Sequence, residues 1–175
     1  MDDQPPTIEP LDDAVDHVRG PGEAMLVVEY GDYECPFSRA AYRSIEQIEA
    51  QSDQGIRFAF RHFPLLEIHP HALAASTAAE AAALQGRFWE MHDTLFHRQK
   101  ALEEDDLRRY ANDLGLALDR FYEDRANETV LGRIERDVRS ALESGQVLGT
   151  PTLFIDGVLH RGGYDSASLL EALTR

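Results

Sequence analysis

The chain has 175 residues, 43% of them hydrophobic, and a net charge of −15, so it is long enough for one globular domain with a sizeable core. This acidic excess argues against nucleic acid and anionic membranes as partners, because both bind through basic surfaces. No run approaches the roughly 20 apolar residues of a membrane helix. The polar N-terminus does not resemble a signal peptide, so we expect a cytoplasmic protein.

The first elements are an N-terminal segment, a strand and a helix. Residues 1–20 are polar and contain several prolines, and a short strand or turn is expected within 8–18. The continuous apolar run 24–28 predicts a strand covered on both faces. Beyond the break at Gly31, apolar residues at helical spacing predict a helix from Cys35 to about residue 50.

Cys35, the only cysteine, lies where this strand gives way to the helix. Pro36 suits the first helical position, where a missing N–H costs nothing. The sulfur therefore lies at a helix N-terminus, whose free N–H groups and dipole favour a thiolate. The alternative is that a lone cysteine is a small buried hydrophobic residue.

The rest of the chain predicts strand, helices, strands and a closing helix. Residues 56–63 alternate apolar and polar and predict a second strand, parallel to the first across the helix. Helical patterns then fill about 65 residues, with Phe88, Trp89 and Phe96 on an apolar face that we assign to the core. Strand patterns return at 153–155 and 158–160 around an Asp-Gly turn, and a helix capped by Asp165 or Ser166 follows.

Three motifs together resemble the DsbA-like group of thioredoxin-fold thiol–disulfide oxidoreductases. They are Val27 to Pro36 (VVEYGDYECP), Arg61 to Leu65 (RHFPL) with His69 to Ala72 (HPHA), and Gly149 to Thr152 (GTPT) followed by FIDG. The resemblance covers residues 17–175.

The resemblance implies an α/β fold with a thioredoxin-like mixed sheet flanked by helices. The core would comprise residues 21–66 and 144–175, and residues 67–143 would form an inserted helical subdomain, all within one structural domain.

The resemblance also assigns the site, with one departure from the family pattern. Cys35 would be the exposed nucleophile of a Cys-Pro-Phe-Ser motif that includes Pro36 and Phe37. The family's second cysteine is replaced by Ser38, whose hydroxyl is expected to donate a hydrogen bond to the thiolate. Thr150 and Pro151 would form a cis-proline loop that binds an extended substrate. Glu29 would be a buried acid that shuttles protons.

One thiol limits the chemistry that can be expected. Exchange passes through a mixed disulfide, and without a second cysteine an external thiol must release the product. We therefore expect a monothiol exchange enzyme that acts on protein, peptide or small-molecule thiols and disulfides. No bound cofactor is expected, with glutathione or another small thiol as co-substrate.

Three alternatives stay open. The fold can persist as a redox-inactive peptide-binding module, or it can serve a glutathione-dependent transferase or isomerase. Alternatively, Ser38 can be an engineered replacement of a cysteine, in which case the natural protein is a dithiol enzyme.

The seven histidines do not change this interpretation. They lack the Cys/His spacing of a zinc site, so no metal is expected. His69 and His71 are expected to be solvated or to cap helices. His62, at the end of the second strand, is expected to be solvent-exposed; the alternative places it beside Cys35.

Overall fold

One mixed sheet of five strands organises the fold in the computed structural model, which describes residues 8–174. The strands are β1 (His17–Arg19), β2 (Leu26–Gly31), β3 (Arg57–His62), β4 (Thr152–Ile155) and β5 (Val158–Leu159). Their order across the sheet is β1-β3-β2-β4-β5. As predicted, β2 and β3 are parallel, while the other neighbouring pairs are antiparallel. The predicted early strand lies at residues 17–19; residues 1–7 of the N-terminal segment lie outside the described residues.

Seven helices are found in the described part of the chain. They are α1 (Pro36–Gln51), α2 (Ala72–Ala83), α3 (Phe88–His97), α4 (Glu104–Asp113), α5 (Leu118–Arg125), α6 (Glu128–Ser144) and α7 (Ser166–Leu173). The Asp165 side chain caps α7 by accepting from Ser168 N, so of the two predicted caps Asp165 is the one found. The thioredoxin-like α/β arrangement is that predicted from the sequence.

Strand β3 is found as predicted, and its polar residues Arg61 and His62 are fully buried. They are buried because β3 lies between β1 and β2, and α6 packs against it. Asp16 compensates the buried positive charge of Arg61, whose Nε and Nη2 each donate a hydrogen bond to the Asp16 carboxylate at 2.9 Å. Burial alone would raise the pKa of Asp16, but the hydrogen bonds from Arg61 and Arg136 outweigh it and hold that pKa well below its usual range.

The apolar core is continuous between the sheet and the helical segment. Phe60 of β3 and Tyr42 of α1 belong to the same buried cluster as Phe88 and Phe96 of α3, and Trp89 packs against that cluster. Phe88 and Phe96 are therefore core residues, as predicted, whereas Trp89 is partly buried and packs against the core. Because this cluster joins α3 to α1, movement of α3 relative to the start of α1 would cost apolar contacts.

Candidate functional site

The site turn, residues 32–35, connects the carboxyl end of β2 to the start of α1. Cys35 is the N-cap residue of α1, and Pro36 occupies the first helical position, as predicted. Asp32 fixes the turn from within: its Oδ1 accepts from Glu34 N at 2.7 Å, and its Oδ2 accepts from Leu65 N at 2.8 Å. The Cys35 thiol thus lies at a helix N-terminus. The buried Asp32 carboxylate holds the preceding turn by accepting hydrogen bonds from two backbone N–H groups.

The Cys35 thiol faces the loop that precedes β4. The sulfur Sγ donates to Thr150 O at 3.5 Å, and the Thr150–Pro151 peptide bond is cis. Cys35 is only 3% exposed, so the expectation of an exposed nucleophile is wrong. The two residues that follow Cys35 in the motif are exposed instead: Pro36 lies at the surface and the Phe37 side chain is 60% exposed.

Ser38 lies in the first turn of α1 and is fully buried. Its Oγ accepts a hydrogen bond from Asp32 N at 3.2 Å. That contact uses a lone pair of the hydroxyl oxygen and leaves its proton available to another acceptor. The hydrogen bond from Ser38 to a Cys35 thiolate stays a prediction.

Gln99 contacts the site turn, a contact that was not predicted from the sequence. Its side-chain Nε2 donates to Tyr33 O and to Cys35 O, both at 2.8 Å. The residue lies between α3 and α4, so this amide connects the helical segment to the residue that carries the thiol. A single glutamine in a polar stretch carries no sequence signal for such a contact.

Two histidines near the start of α2 pair with the acids that precede Cys35. His69 Nδ1 lies 2.8 Å from Asp32 Oδ2, and His71 Nδ1 lies 2.8 Å from Glu34 Oε1. The hydrogen bond with Glu34 raises the pKa of His71. Both were expected to be solvated or to cap helices. His71 does occupy the N-cap position of α2, but its side chain makes no cap hydrogen bond.

Glu29 on β2 is fully buried, as expected. Within the described residues neither of its carboxylate oxygens has a hydrogen-bond partner, and burial raises its pKa to about 8. Gly31 makes room for it, because a Cβ at that position would lie 2.9 Å from Glu29 Oε1 and 2.5 Å from the Phe60 ring. A carboxyl group that is protonated near neutral pH can exchange a proton.

His62 neither lies at the surface nor is found in contact with the sulfur. It is fully buried, and its Nε2 is 2.6 Å from Glu80 Oε1, which also lies 2.8 Å from His17 Nε2. Burial alone would raise the pKa of Glu80, but these two hydrogen bonds outweigh it and lower that pKa. The prediction of an exposed His62 was wrong because β3 is an interior strand of the sheet and α2 supplies Glu80 as its partner.

A metal-binding cluster and a membrane-spanning helix are both absent from residues 8–174. No group of three or more His, Cys, Asp or Glu side chains in residues 8–174 is arranged to hold a metal ion. No helix there is both long and apolar enough to span a bilayer.

Comparison with known proteins identifies the family. A family model described as Thioredoxin matches residues 12–175. The chain belongs to the thioredoxin family. Among solved structures, it superposes on a thioredoxin-like oxidoreductase from Silicibacter pomeroyi with a TM-score of 0.81 and 27% identity, covering 93% of this chain and 92% of that one. It also superposes on BdbD from Bacillus subtilis with a TM-score of 0.81, 20% identity and coverage of 98% and 97%.

Curated relatives contain a segment similar to this chain within longer proteins. The chain is 46% identical over 165 residues to a protein from Salinispora tropica named Na(+)/H(+) antiporter NhaA 3, covering 94% of this chain and 25% of that protein. It is 44% identical over 169 residues to Na(+)/H(+) antiporter NhaA 1 of Mycolicibacterium vanbaalenii, covering 95% and 27%. The chain thus spans about a quarter of the length of these relatives.

Proposed function

We propose that this thioredoxin-family protein catalyses thiol–disulfide exchange through Cys35 alone. The observation that carries the proposal is the position of the Cys35 sulfur, at the N-terminus of α1 and 3.5 Å from the Thr150 carbonyl beside a cis-proline. A helix N-terminus favours a thiolate. Ser38 follows at the position of the resolving cysteine, so no internal disulfide can form.

Exchange at a single thiol takes two balanced steps. The Cys35 thiolate attacks one sulfur of a substrate disulfide; a Cys35–substrate disulfide forms and the other substrate sulfur leaves as a thiolate. An external thiolate then attacks the substrate sulfur of the mixed disulfide, and Cys35 leaves as a thiolate. The protein ends as it began, so it exchanges disulfides without storing one.

Three neighbouring residues support these steps. The Ser38 hydroxyl would donate to the thiolate in the resting and leaving states, taking the place of a second thiol. Thr150 and Pro151 would bind the substrate in an extended form, with the Thr150 backbone as its hydrogen-bonding edge. Glu29, buried and with a pKa of about 8, would exchange protons beneath the site.

The direction of reaction depends on the supply of external thiol. A compartment rich in small thiols, such as the cytoplasm expected from the sequence, favours release of mixed disulfides and reduction. Glutathione or another low-molecular-weight thiol would be the co-substrate, and proteins or peptides with mixed or non-native disulfides would be the substrates.

A test of the proposal measures turnover of a glutathionylated peptide in the presence of excess glutathione. The wild-type protein is expected to accelerate release of the peptide thiol, and Cys35→Ser is expected to abolish the acceleration. Equal rates for the two proteins would contradict the proposal.

The low exposure of Cys35 favours a second candidate, a peptide-binding module without redox activity. A cysteine that is 3% exposed cannot be attacked unless the Thr150 loop or the substrate displaces its cover. In that case Cys35→Ser should leave peptide binding unchanged and no disulfide should turn over. Peptide binding measured alongside turnover therefore separates the two candidates.

A further inference from the structure

A groove without acidic residues lies beside the candidate site. Its volume is about 470 Å³, within the range of small-ligand sites. Thr150, Pro151, Thr152 and Arg161 are among the residues that line it. No Asp or Glu lines the groove, although the chain contains 32 acidic residues. Thr150, one of these lining residues, also accepts a hydrogen bond from Cys35 Sγ through its carbonyl oxygen.

Arg161 brings a positive charge close to the cis-proline. Strand β5 pairs with β4 so that Leu159 lies opposite Phe154, and the next bond of the ladder joins His160 N to Leu153 O at 2.8 Å. The ladder ends at this bond, and Arg161, the next residue, lines the same groove as Thr150, Pro151 and Thr152. Its guanidinium is therefore available to a ligand that occupies the groove beside the cis-proline.

Arg161 is found in no ion pair within the described part of the chain. Arg161 is exposed, and none of the ion pairs or hydrogen bonds found in residues 8–174 involves its side chain. The carboxylate of Asp165, four residues on, instead accepts hydrogen bonds from Ser168 N and Ser168 Oγ at 3.0 and 2.6 Å. Glu171 of α7 lines an adjoining groove together with Arg161. Acidic residues farther away than the Debye length, about 8 Å at physiological ionic strength, oppose the charge of Arg161 only weakly.

We infer that this groove selects thiols and disulfides with a carboxylate about one residue from the reactive sulfur, and that Arg161 pairs with that carboxylate. The inference rests on the proposed exchange at Cys35 and names the chemical class of its substrate. Either a small anionic thiol such as glutathione or an acidic residue flanking a peptide cysteine presents this group. The guanidinium suits a carboxylate because it can donate two parallel hydrogen bonds.

Three small disulfides of different charge test whether the groove selects substrates that carry a carboxylate. We would measure the rate of mixed-disulfide formation at Cys35 with glutathione disulfide (anionic), hydroxyethyl disulfide (neutral) and cystamine (cationic). A charge pair at 4 Å in water contributes about 1 kcal/mol, so Arg161→Gln should lower the ratio of anionic to neutral rates about fivefold, and Arg161→Glu should lower it further. The matched control is Arg108→Glu, at an exposed position on α4, which should leave the ratio unchanged.

A second arm separates the two sources of the carboxylate. Mixed disulfides of two peptides, one with Glu and one with Gln next to the cysteine, replace the small disulfides. An Arg161-dependent preference for the Glu peptide alone assigns the groove to acidic polypeptides. The same preference for glutathione disulfide alone assigns it to the small thiol. Either result supports the carboxylate pairing.

S-Methylglutathione, which cannot exchange, tests the groove apart from the chemistry. If no disulfide reacts, the proposed function fails, while Arg161-dependent binding of S-methylglutathione still supports the groove. If disulfides react but the ratio of anionic to neutral rates is the same in wild type and Arg161→Glu, the inference is overturned and the proposed function stands. Absence of both reaction and Arg161-dependent binding overturns both.

Discussion

The Cys35 sulfur donates to the carbonyl oxygen of Thr150 at 3.5 Å, across 115 positions of sequence. This contact brings together the start of α1 and the loop before β4, because β2 and β4 are neighbours in the sheet. The thiol is thereby covered by the same backbone group that we propose to bind substrate. A substrate that pairs with Thr150 would replace this contact, so binding and uncovering of the thiol are expected to occur together.

Restoring a cysteine at position 38 should change the reaction class. Ser38 is buried in the first turn of α1, and sulfur replaces oxygen there with little change in shape. We expect Ser38→Cys to form an internal disulfide with Cys35 and to oxidise a dithiol peptide stoichiometrically without external thiol. Intact mass under denaturing conditions, with and without reductant, measures the loss of two hydrogens. Ser38→Ala is the control, and an S38C protein that stays fully reduced in air would contradict the assigned geometry.

Glu29 should make the protein less stable as the pH rises. Its pKa is about 8 when folded against 4.5 for the unfolded reference, so the folded state binds the extra proton between these values. The contribution of this protonation to the free energy of unfolding is complete below pH 4.5. It is lost as the pH rises to 8, at about 1.4 kcal/mol per pH unit.

Urea unfolding of wild type and Glu29→Gln from pH 5 to 8 measures this contribution. The free energy of unfolding of the variant, relative to wild type, should increase steadily over the window. A constant difference between the two proteins would mean that Glu29 is charged throughout.

The Gln99 amide should support the reactivity of Cys35. Gln99→Met keeps the side-chain length but removes both donors, which should cost about 1–3 kcal/mol of stability and slow exchange about tenfold. Gln85 offers a matched control: its amide exchanges two hydrogen bonds with the Ala117 backbone, away from the site turn. Gln85→Met should lose similar stability and exchange at the wild-type rate. Equal exchange rates in the two variants would show that Gln99 has only a structural role.

The buried pair between Asp16 and Arg61 should dominate the stability of the sheet edge. Asp16→Asn leaves the fully buried Arg61 without its charged partner, at an expected cost of about 3–5 kcal/mol. Asp13→Asn is the control, because Asp13 pairs with Arg57 at 2.7 Å but its side chain is 74% exposed; its cost should be about 0–1 kcal/mol. Thermal and urea unfolding compare the two, and equal losses would contradict the role assigned to burial.

Local patterns were enough to predict the elements around the thiol. The apolar run before Gly31 and the Pro36 that follows Cys35 specify β2 and the start of α1 through short-range effects. The Asp-Gly turn does the same for the β4–β5 hairpin. These features depend on neighbours in sequence, which is why they could be predicted.

The exposure of individual side chains could not be predicted, because it depends on segments that are distant in sequence. His62 was expected to be exposed at the end of β3, but α6 packs on this strand and Glu80 of α2 supplies a partner for His62. Cys35 is covered by a loop 115 positions later. Gln99 acts through a side-chain amide that has no periodic or motif signature.

The most direct test of the central claim is trapping of glutathione on Cys35. The folded protein is incubated with glutathione disulfide at neutral pH, the reaction is stopped with acid, and the intact mass is measured. The account predicts addition of one glutathionyl group within minutes, reversal by glutathione, and no addition to Cys35→Ser. A protein that gains no mass while folded, but does so once unfolded in urea, would contradict exchange at this site.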